Sequence, residues 1–199
     1  MLTRLFRVLV PAAIVAAAVV FTAQSAQAQD APRVKFATTA GDFVVELYPD
    51  KAPKTVANFL QYVSEKHYDG TIFHRVIENF MVQGGGFDAS FAQKKTRAPV
   101  EHEGREALAK GGPRNISGTL AMARTNDPQS ATAQFFINVK DNAFLDPTAQ
   151  QFGYTVFGKV VTGMDVVQRI RTSPTGAGGP FPSDVPKTPI VINSATLVK

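Results

Sequence analysis

The stretch FHRVIENFMVQGGG, from residue 73 to residue 86, contains the side chains best suited to chemistry in this sequence. It places one cation, Arg75, five residues before the apolar pair Phe80 and Met81 and eight residues before the amide of Gln83. A guanidinium and an amide beside apolar side chains can bind a polar group in a largely apolar pocket.

The spacing of these residues has the period of a β-strand, in which alternate side chains point to the same face. It predicts that Phe73, Arg75 and Ile77 share one face of a strand and that, after a turn, Met81 and Gln83 share one face of the next. Few acidic residues lie near Arg75 in the sequence. This arginine is therefore either a solvated surface residue or a cation directed at a ligand.

Several kinds of catalytic site are excluded by composition and motif. The sequence has no cysteine, so it has neither a cysteine nucleophile nor a disulfide. It lacks the G-x-S-x-G motif of serine hydrolases, and no Lys-Ser/Thr pair follows its glycine run as in a phosphate-binding loop. Hydrolytic, redox and nucleotide chemistry therefore lack their usual residues.

The three histidines, His67, His74 and His102, form no recognisable metal or catalytic motif. His74 lies within the first predicted strand and is predicted to be structural. Glu101 and Glu103 flank His102, but neighbouring side chains point in different directions and no second cluster completes a ligand set. This segment is therefore predicted to be a solvated loop, and neither a metal nor another cofactor is expected.

The N-terminus has the three parts of a secretory signal peptide. A basic start is followed by an apolar run over residues 8–21 and by a small-x-small cleavage site that ends at Ala28. The alternative is a membrane anchor, but a spanning helix needs about 20 apolar residues, and Arg7 and Pro11 interrupt the run. We therefore predict a signal peptide at residues 1–28, a periplasmic location, and no stable membrane association after cleavage.

Downstream of the cleavage site, residues 29–33 are predicted to form a flexible leader and residues 34–199 a single domain. Removing the signal peptide lowers the formal net charge from +5 to +3, which is ordinary for a protein surface. The densest basic group, Lys94, Lys95 and Arg97, is too short to form a nucleic-acid-binding stripe. Nucleic acid is therefore not an expected partner.

Apolar periodicity predicts several short strands and two helices. Apart from the two strands of the central stretch, β-type patterns cover residues 34–38, 43–48, 118–124, 134–139, 154–161 and 190–198. Helical spacing begins at Pro53 and ends near Lys66, and a second helix covers residues 164–171. Residues 88–112 are predicted to be a long excursion, and a Gly/Pro-rich loop precedes the last strand. These elements favour a small barrel or sandwich capped by helices.

Six short motifs in this order carry a resemblance to a known family. They are FHRVI (73–77), FMVQGG (80–85), GTLAMAR (118–124), QFFI (134–137), FLD (144–146) and FGKV (157–160). Together they resemble the cyclophilins, which are peptidyl-prolyl cis-trans isomerases, and most of all the secreted bacterial members. The resemblance spans residues 34–198. It implies a mainly β fold, a closed eight-stranded antiparallel β-barrel capped by two α-helices, with the active groove on the outer surface.

The resemblance also implies roles for individual residues. Arg75 matches the catalytic arginine, and Gln83 matches an amide that orients it and contacts the substrate. The backbone at Ala123 and Arg124 matches the strand edge that binds the residue before proline. The substrate-binding positions that it implies are Phe80, Met81, Ala123, Arg124, Gln134, Phe136, Phe144, Leu145 and Tyr154.

Three positions depart from the best-known eukaryotic pattern of this family. Phe144 stands where that branch has Trp, which removes an indole N–H that could bond an inhibitor, so weak cyclosporin binding is expected. Tyr154 stands where that branch has His. The pocket wall stays aromatic, but a hydroxyl takes the place of the imidazole nitrogens at its polar edge. Arg124 replaces Asn and adds a charge at the rim of the groove.

The leading hypothesis is a prolyl isomerase that acts on proline-containing polypeptides after export and assists their folding, as a monomer. The alternative is a peptide-binding or chaperone module whose groove holds X–Pro segments with little turnover. The intact trio Arg75, Phe80 and Gln83 separates the two, because a pure binder has no need of Arg75 beside the imide. A barrel that binds a non-peptide ligand would leave Arg75 without a role.

Overall fold

The computed structural model describes residues 31–198. The predicted signal peptide and the first two residues of the predicted leader lie outside this range. At the start of the range the chain is already paired, because the amide of Leu47 donates a hydrogen bond to the carbonyl of Pro32 at 2.9 Å. The first strand begins at Arg33, one residue before the predicted start of the domain.

Eight antiparallel strands of the described residues close into a barrel, which confirms the predicted fold. In chain order these strands are β1 (Arg33–Thr38), β2 (Gly41–Leu47), β3 (Thr71–Ile77), β4 (Met81–Asp88), β5 (Thr119–Met122), β6 (Phe135–Asn138), β7 (Val156–Thr162) and β10 (Val191–Val198). Around the barrel the order is β1, β10, β3, β4, β6, β5, β7 and β2. The strands β3 to β6, which carry the first four of the six family motifs, therefore lie side by side.

Two helices cap the barrel, as predicted. They are α1 (Pro53–Ser64), with its proline in the first turn, and α3 (Met164–Arg171). A shorter helix, α2 (Gly104–Ala109), lies in the excursion between β4 and β5 and was not predicted. None of the helices within residues 31–198 is both long enough and apolar enough to cross a membrane.

The interior of the barrel is filled by phenyl rings. The fully buried ones are Phe36, Phe43, Phe59, Phe73, Phe135 and Phe157. Phe36 stacks on Phe43 with ring centroids 4.9 Å apart, and Phe59 meets Phe135 edge to face at 5.9 Å. Because side chains occupy the interior, a peptide has to bind on the outside of the barrel.

Strand β3 contains a bulge that changes the face presented by its first half. The pairing with β4 shifts between Phe73 and Arg75, so Phe73 and Val76 both pack in the barrel core. Arg75 is exposed on the outer face, and Ile77 packs against the apolar cluster there. The prediction that Phe73 shares a face with Arg75 and Ile77 is therefore wrong, because a bulge adds one residue to the alternation.

The excursion between β4 and β5 packs against α1 instead of forming a solvated loop throughout. The side chain of Glu103 is buried, and its carboxylate accepts hydrogen bonds from the amides of Lys54 at 3.1 Å and Thr55 at 2.7 Å. The hydroxyl of Thr55 donates to the same carboxylate at 2.7 Å. The first turn of α1 has no side-chain cap of its own, so Glu103 satisfies amides that would otherwise lack acceptors. The prediction of a solvated segment is wrong for this residue.

We expect Glu103→Ala to lower the free energy of unfolding by roughly 2–4 kcal/mol, because it removes a charged acceptor and leaves buried donors without partners. Glu101→Ala is the matched control. Glu101 pairs with Lys54 at an exposed position where solvent screens the ion pair, so its loss should change stability far less than the loss of Glu103. Chemical denaturation of the two variants measures both values. Equal destabilisation would contradict the capping role of Glu103.

The segment before the last strand is a second, separate hairpin and not a loop. Its strands are β8 (Thr175–Gly178) and β9 (Phe181–Pro186). Phe181 packs on His74 of β3 and Phe87 of β4, with ring centroids 5.3 Å and 5.1 Å apart. The hairpin therefore covers the outer face of β3 and β4 beside Arg75.

Candidate active site

A small apolar cluster lies on the outer surface of the barrel, separate from the core. Its buried members are Met81, Ala121, Phe136, Leu145 and Val156. Strand alternation explains the separation, because Met81 faces outward while the next residue, Val82, belongs to the core. Met81 and Gln83 share this outer face, as predicted.

A cavity of about 100 Å³ lies on this cluster. Its walls are Arg75, Phe80, Met81, Gln83, Ala123, Arg124, Phe136, Leu145 and Tyr154. The structure thus brings together nine of the residues singled out in the sequence. Since pockets for drug-sized ligands measure about 300–1,000 Å³, this space is suited to one small ring and not to a longer chain segment.

A larger groove of about 580 Å³, lined mostly by polar residue types, adjoins the cavity. Arg75, Gln83, Ala123 and Arg124 line both, and Gln134 lines the groove only. The amide of Ala123 already donates to the carbonyl of Gln134 at 3.0 Å. A bound peptide would therefore pair with backbone groups that follow the Ala123 amide along the chain. An extended peptide could therefore lie in the groove with one ring in the cavity.

Arg75 projects from the outer face of β3 at the junction of cavity and groove. None of the ion pairs within residues 31–198 involves it. Gln83 lies opposite Arg75 in the register of β3 and β4, but its amide donates to the side chain of Gln134 at 3.0 Å. Gln83 therefore links β4 to the residue before β6, and its side-chain oxygen is the atom suited to accept from the arginine.

Gly86 is required for the position of Gln134. A Cβ atom at residue 86 would lie 2.5 Å from the Cγ and Cδ atoms of Gln134, which is closer than atoms can approach. The third glycine of the run thus makes space for the Gln134 amide that binds Gln83.

If the protein has the isomerase activity that the sequence resemblance implies, Gly86→Ala should lower its kcat/KM by about three- to tenfold, because Gln134 would move and lose its hydrogen bond to Gln83. The control is Gly176→Ala on the separate hairpin, where the nearest atom to a new Cβ is 3.6 Å away. Peptide isomerisation rates of both variants check this expectation. Full activity in Gly86→Ala would contradict a role for the placement of Gln134.

Two aromatic side chains lie at the cavity, one outside it and one in its wall. Phe144 is 65% exposed and stacks on Phe80 with ring centroids 5.6 Å apart, so it extends the apolar surface outside the cavity. Tyr154 meets Phe136 edge to face at 5.5 Å and forms the opposite wall.

Arg124 is engaged with the protein instead of extending freely at the rim. Its guanidinium carbon lies 4.5 Å from the ring centroid of Tyr154. Its Nε and Nη2 atoms donate to the carbonyl of Gly153 at 3.1 Å and 2.9 Å, and its Nη1 atom donates to Thr125 at 2.8 Å. The extra charge predicted at the rim is therefore held against one wall.

A family model described as "Cyclophilin type peptidyl-prolyl cis-trans isomerase/CLD" matches residues 33–197. This chain belongs to the cyclophilin family. It is 55% identical over 168 residues to peptidyl-prolyl cis-trans isomerase cyp18 of Streptomyces antibioticus, a match that covers 83% of this chain and 98% of that protein. It is 52% identical over 167 residues to peptidyl-prolyl cis-trans isomerase B of Escherichia coli K12, covering 82% and 98%.

The fold of a solved cyclophilin also matches. A crystal structure of a cyclophilin-type peptidyl-prolyl cis-trans isomerase from Cryptosporidium parvum has a TM-score of 0.64 and 23% sequence identity, and it covers 85% of this chain and 98% of that one. The resemblance found in the sequence motifs is thus confirmed at the level of family, enzyme class and fold.

A buried polar network supports the cyclophilin pocket from behind, and it was not predicted. Asn142 donates to the carbonyl of Phe80 at 2.9 Å, and Asn115 donates to the carbonyl of Leu145 at 3.2 Å. The amide of Asn115 donates in turn to the carboxylate of Asp146 at 2.7 Å. These bonds fix the backbone of two wall residues. The sequence gives little indication of these two asparagines, because asparagine is common in ordinary turns.

His74 is buried directly beside Arg75 of this cyclophilin site. Burial, with a smaller contribution from the charge of Arg75, lowers the pKa of His74 to about 4. The ring of His74 packs between Phe87 and Phe181, which agrees with the prediction that this histidine is structural. Within the part of the chain that the structure describes, no group of three or more His, Cys, Asp or Glu side chains could hold a metal ion.

Proposed function

We propose that this cyclophilin catalyses rotation about X–Pro bonds with Arg75 as the catalytic cation and the adjoining cavity as the proline pocket. Rotation crosses a barrier of about 18–20 kcal/mol, because amide resonance is lost in the twisted state. In that state the proline nitrogen carries a lone pair. A guanidinium that donates to this lone pair stabilises the twisted state more than the planar one, which lowers the barrier.

The other walls supply an anchor for the ring. Phe80, Met81, Phe136, Leu145 and Tyr154 surround the cavity with apolar and aromatic surface. A ring held there stays fixed while the carbonyl before proline rotates. An apolar site also disfavours the charge-separated planar amide. Arg75 acts without titrating, so no general base, metal or cofactor is needed.

The observation that carries this proposal is the position of Arg75 at the edge of a ring-sized apolar cavity on the outer surface. The direct test is the cis-to-trans rate of a short X–Pro peptide, measured by NMR exchange with and without the protein. Acceleration at catalytic protein concentrations is expected. Saturable peptide binding without acceleration would favour the alternative, a module that only holds proline peptides.

We further propose that the protein acts on polypeptides after export to the periplasm and assists their folding. The signal-like residues 1–28 support this proposal. The test is fractionation of the producing cells with N-terminal sequencing of the protein. A chain that begins at Gln29 in the periplasmic fraction is expected, and retention of residues 1–28 on a membrane-bound protein would contradict it. Because one chain supplies every wall of the cavity, we propose that the monomer is active.

Cyclosporin binding is proposed to be weak because the exposed ring of Phe144 offers no N–H donor. Phe144→Trp should raise cyclosporin affinity by about tenfold, the factor expected for one added hydrogen bond. Calorimetric titration of both proteins measures the change. Phe144→Tyr is the control, since it enlarges the ring without adding an indole N–H. An equal gain in both variants would contradict the role of the indole N–H.

A further inference from the structure

The carbonyl of Gly153 lies where three chain segments meet beside the cavity. It accepts hydrogen bonds from Nε and Nη2 of Arg124 at 3.1 Å and 2.9 Å, and it lies 3.2 Å from Nε2 of His102. Gly153 directly precedes Tyr154, which forms one wall of the cavity. Two side chains therefore hold the backbone from which this wall projects.

The hydrogen bonds of His102 determine which tautomer fits. The amide of Gly104 donates to its Nδ1 atom at 3.2 Å, so Nδ1 is an acceptor and Nε2 carries the hydrogen that is donated to Gly153. A Cβ atom at residue 104 would lie 2.6 Å from the His102 ring, so glycine permits this placement. The neutral imidazole thus has partners at both nitrogens.

We infer that His102 is a positioning residue for the proline pocket, which acts in its neutral form through the Gly153 carbonyl on Tyr154. This inference rests on the proposed function, because it concerns the same pocket. His102 does not line the cavity itself. Its effect on the substrate is therefore indirect, through the placement of the Tyr154 ring against Phe136.

Protonation of His102 would disrupt this arrangement. A proton on Nδ1 would face the Gly104 amide, so one accepting group is lost and two donors oppose each other. The ring would then leave its position, and the Gly153 carbonyl would lose a donor. Of the two side chains that bond to this carbonyl, Arg124 would remain, and the amide of Tyr154 would keep its hydrogen bond to the carbonyl of Leu145.

The charged groups around His102 oppose its protonation on balance. Burial lowers the pKa of His102 most, and the hydrogen bond to Gly153 raises it. Arg124, which follows β5, and Arg105 of α2 lower it further. Glu103 is the one carboxylate that raises it, and this side chain is already bonded to the start of α1. Two other contacts are uncharged: Phe152 packs edge to face on the His102 ring, and the side-chain oxygen of Gln129 accepts from the backbone amide of His102.

The expected result is a fall in kcat/KM of about three- to tenfold, the factor of one hydrogen bond, as the pH drops from about 7.5 into the acid range below the ordinary histidine pKa of about 6.5. The rise in KM should exceed the fall in kcat, because Arg75 keeps its place while one wall loosens. His102→Gln provides a donor that does not titrate, so its profile should be flat and close to the wild-type value at neutral pH. His102→Ala should be low at every pH.

The experiment measures both turnover and peptide affinity of the purified protein by NMR across this pH range, with near-UV circular dichroism confirming that each variant is folded. His67 and His74 remain in every variant, so their titration contributes equally. If kcat/KM of His102→Gln fell in acid as much as that of the wild type, the inference would be overturned. A His102→Ala protein as active as the wild type would also overturn it. Absence of turnover would overturn the proposed function, whereas affinity that weakens in acid for the wild type alone would still support the inference.

Discussion

Arg75→Ala is expected to lower kcat/KM for prolyl isomerisation by about 100- to 1,000-fold, the range found when one preorganised donor to a transition state is removed. The guanidinium lies at the edge of the cavity, and none of the ion pairs in the described range involves it. Its role is therefore best explained by the twisted imide. The fall should appear mainly in kcat, because the walls of the ring pocket remain.

Two further variants make this expectation specific. Arg33→Ala removes another exposed arginine, which pairs with Glu46. Neither residue lines the groove or the cavity, so this variant should keep full activity. Arg75→Lys keeps the charge but loses the planar donor geometry, so activity between that of the wild type and Arg75→Ala is expected. Unfolding experiments should find Arg75→Ala within about 0.5 kcal/mol of the wild type. Undiminished turnover in Arg75→Ala would exclude this residue as the catalyst.

Acid should destabilise the fold through His74. The pKa of this residue is about 4 in the folded protein and about 6.5 in the unfolded chain, so the unfolded state binds the proton more readily. The stability contributed by neutral His74 is complete above about pH 6.5 and is lost as the pH falls toward about 4. A difference of this size corresponds to roughly 3 kcal/mol.

His74→Phe isolates this contribution. A phenyl ring can occupy the space between Phe87 and Phe181, and the Nδ1 atom of His74 has no hydrogen-bond partner among the described residues. Little is therefore lost when the imidazole is replaced. Urea denaturation from about pH 7.5 to about pH 4 should give a much shallower decline for His74→Phe than for the wild type. Parallel declines would assign the acid sensitivity to other groups, such as His67, whose pKa burial also lowers.

The outer face of the barrel could be predicted where strands alternate without interruption. In β4 and β6 a period of two places Met81 and Phe136 outside and Val82 and Phe135 inside, as hydrophobic alternation requires. The same rule failed for Phe73 because the bulge in β3 leaves no mark in a single sequence. The family motifs supplied the walls of the cavity, since local patterns alone do not specify which strands become neighbours.

Other features depend on partners that are distant in the sequence. Glu103 looks like a solvated acid until α1 is placed against it, and its bonded partner Thr55 is 48 residues away. The hairpin β8–β9 was missed because it has few large apolar side chains, and Phe181 packs on His74 and Phe87 instead of a strand neighbour. Local propensity carries no information about such contacts.

The location of the groove on the outside of a filled barrel has a topological consequence. A polypeptide approaches such a groove sideways, so neither of its ends has to pass through an opening. Access then depends on whether a few residues around a proline are exposed, and not on the length of the chain or the distance to its terminus. A loop on a nearly folded protein and a segment in the middle of a long unfolded chain are equally able to enter and leave.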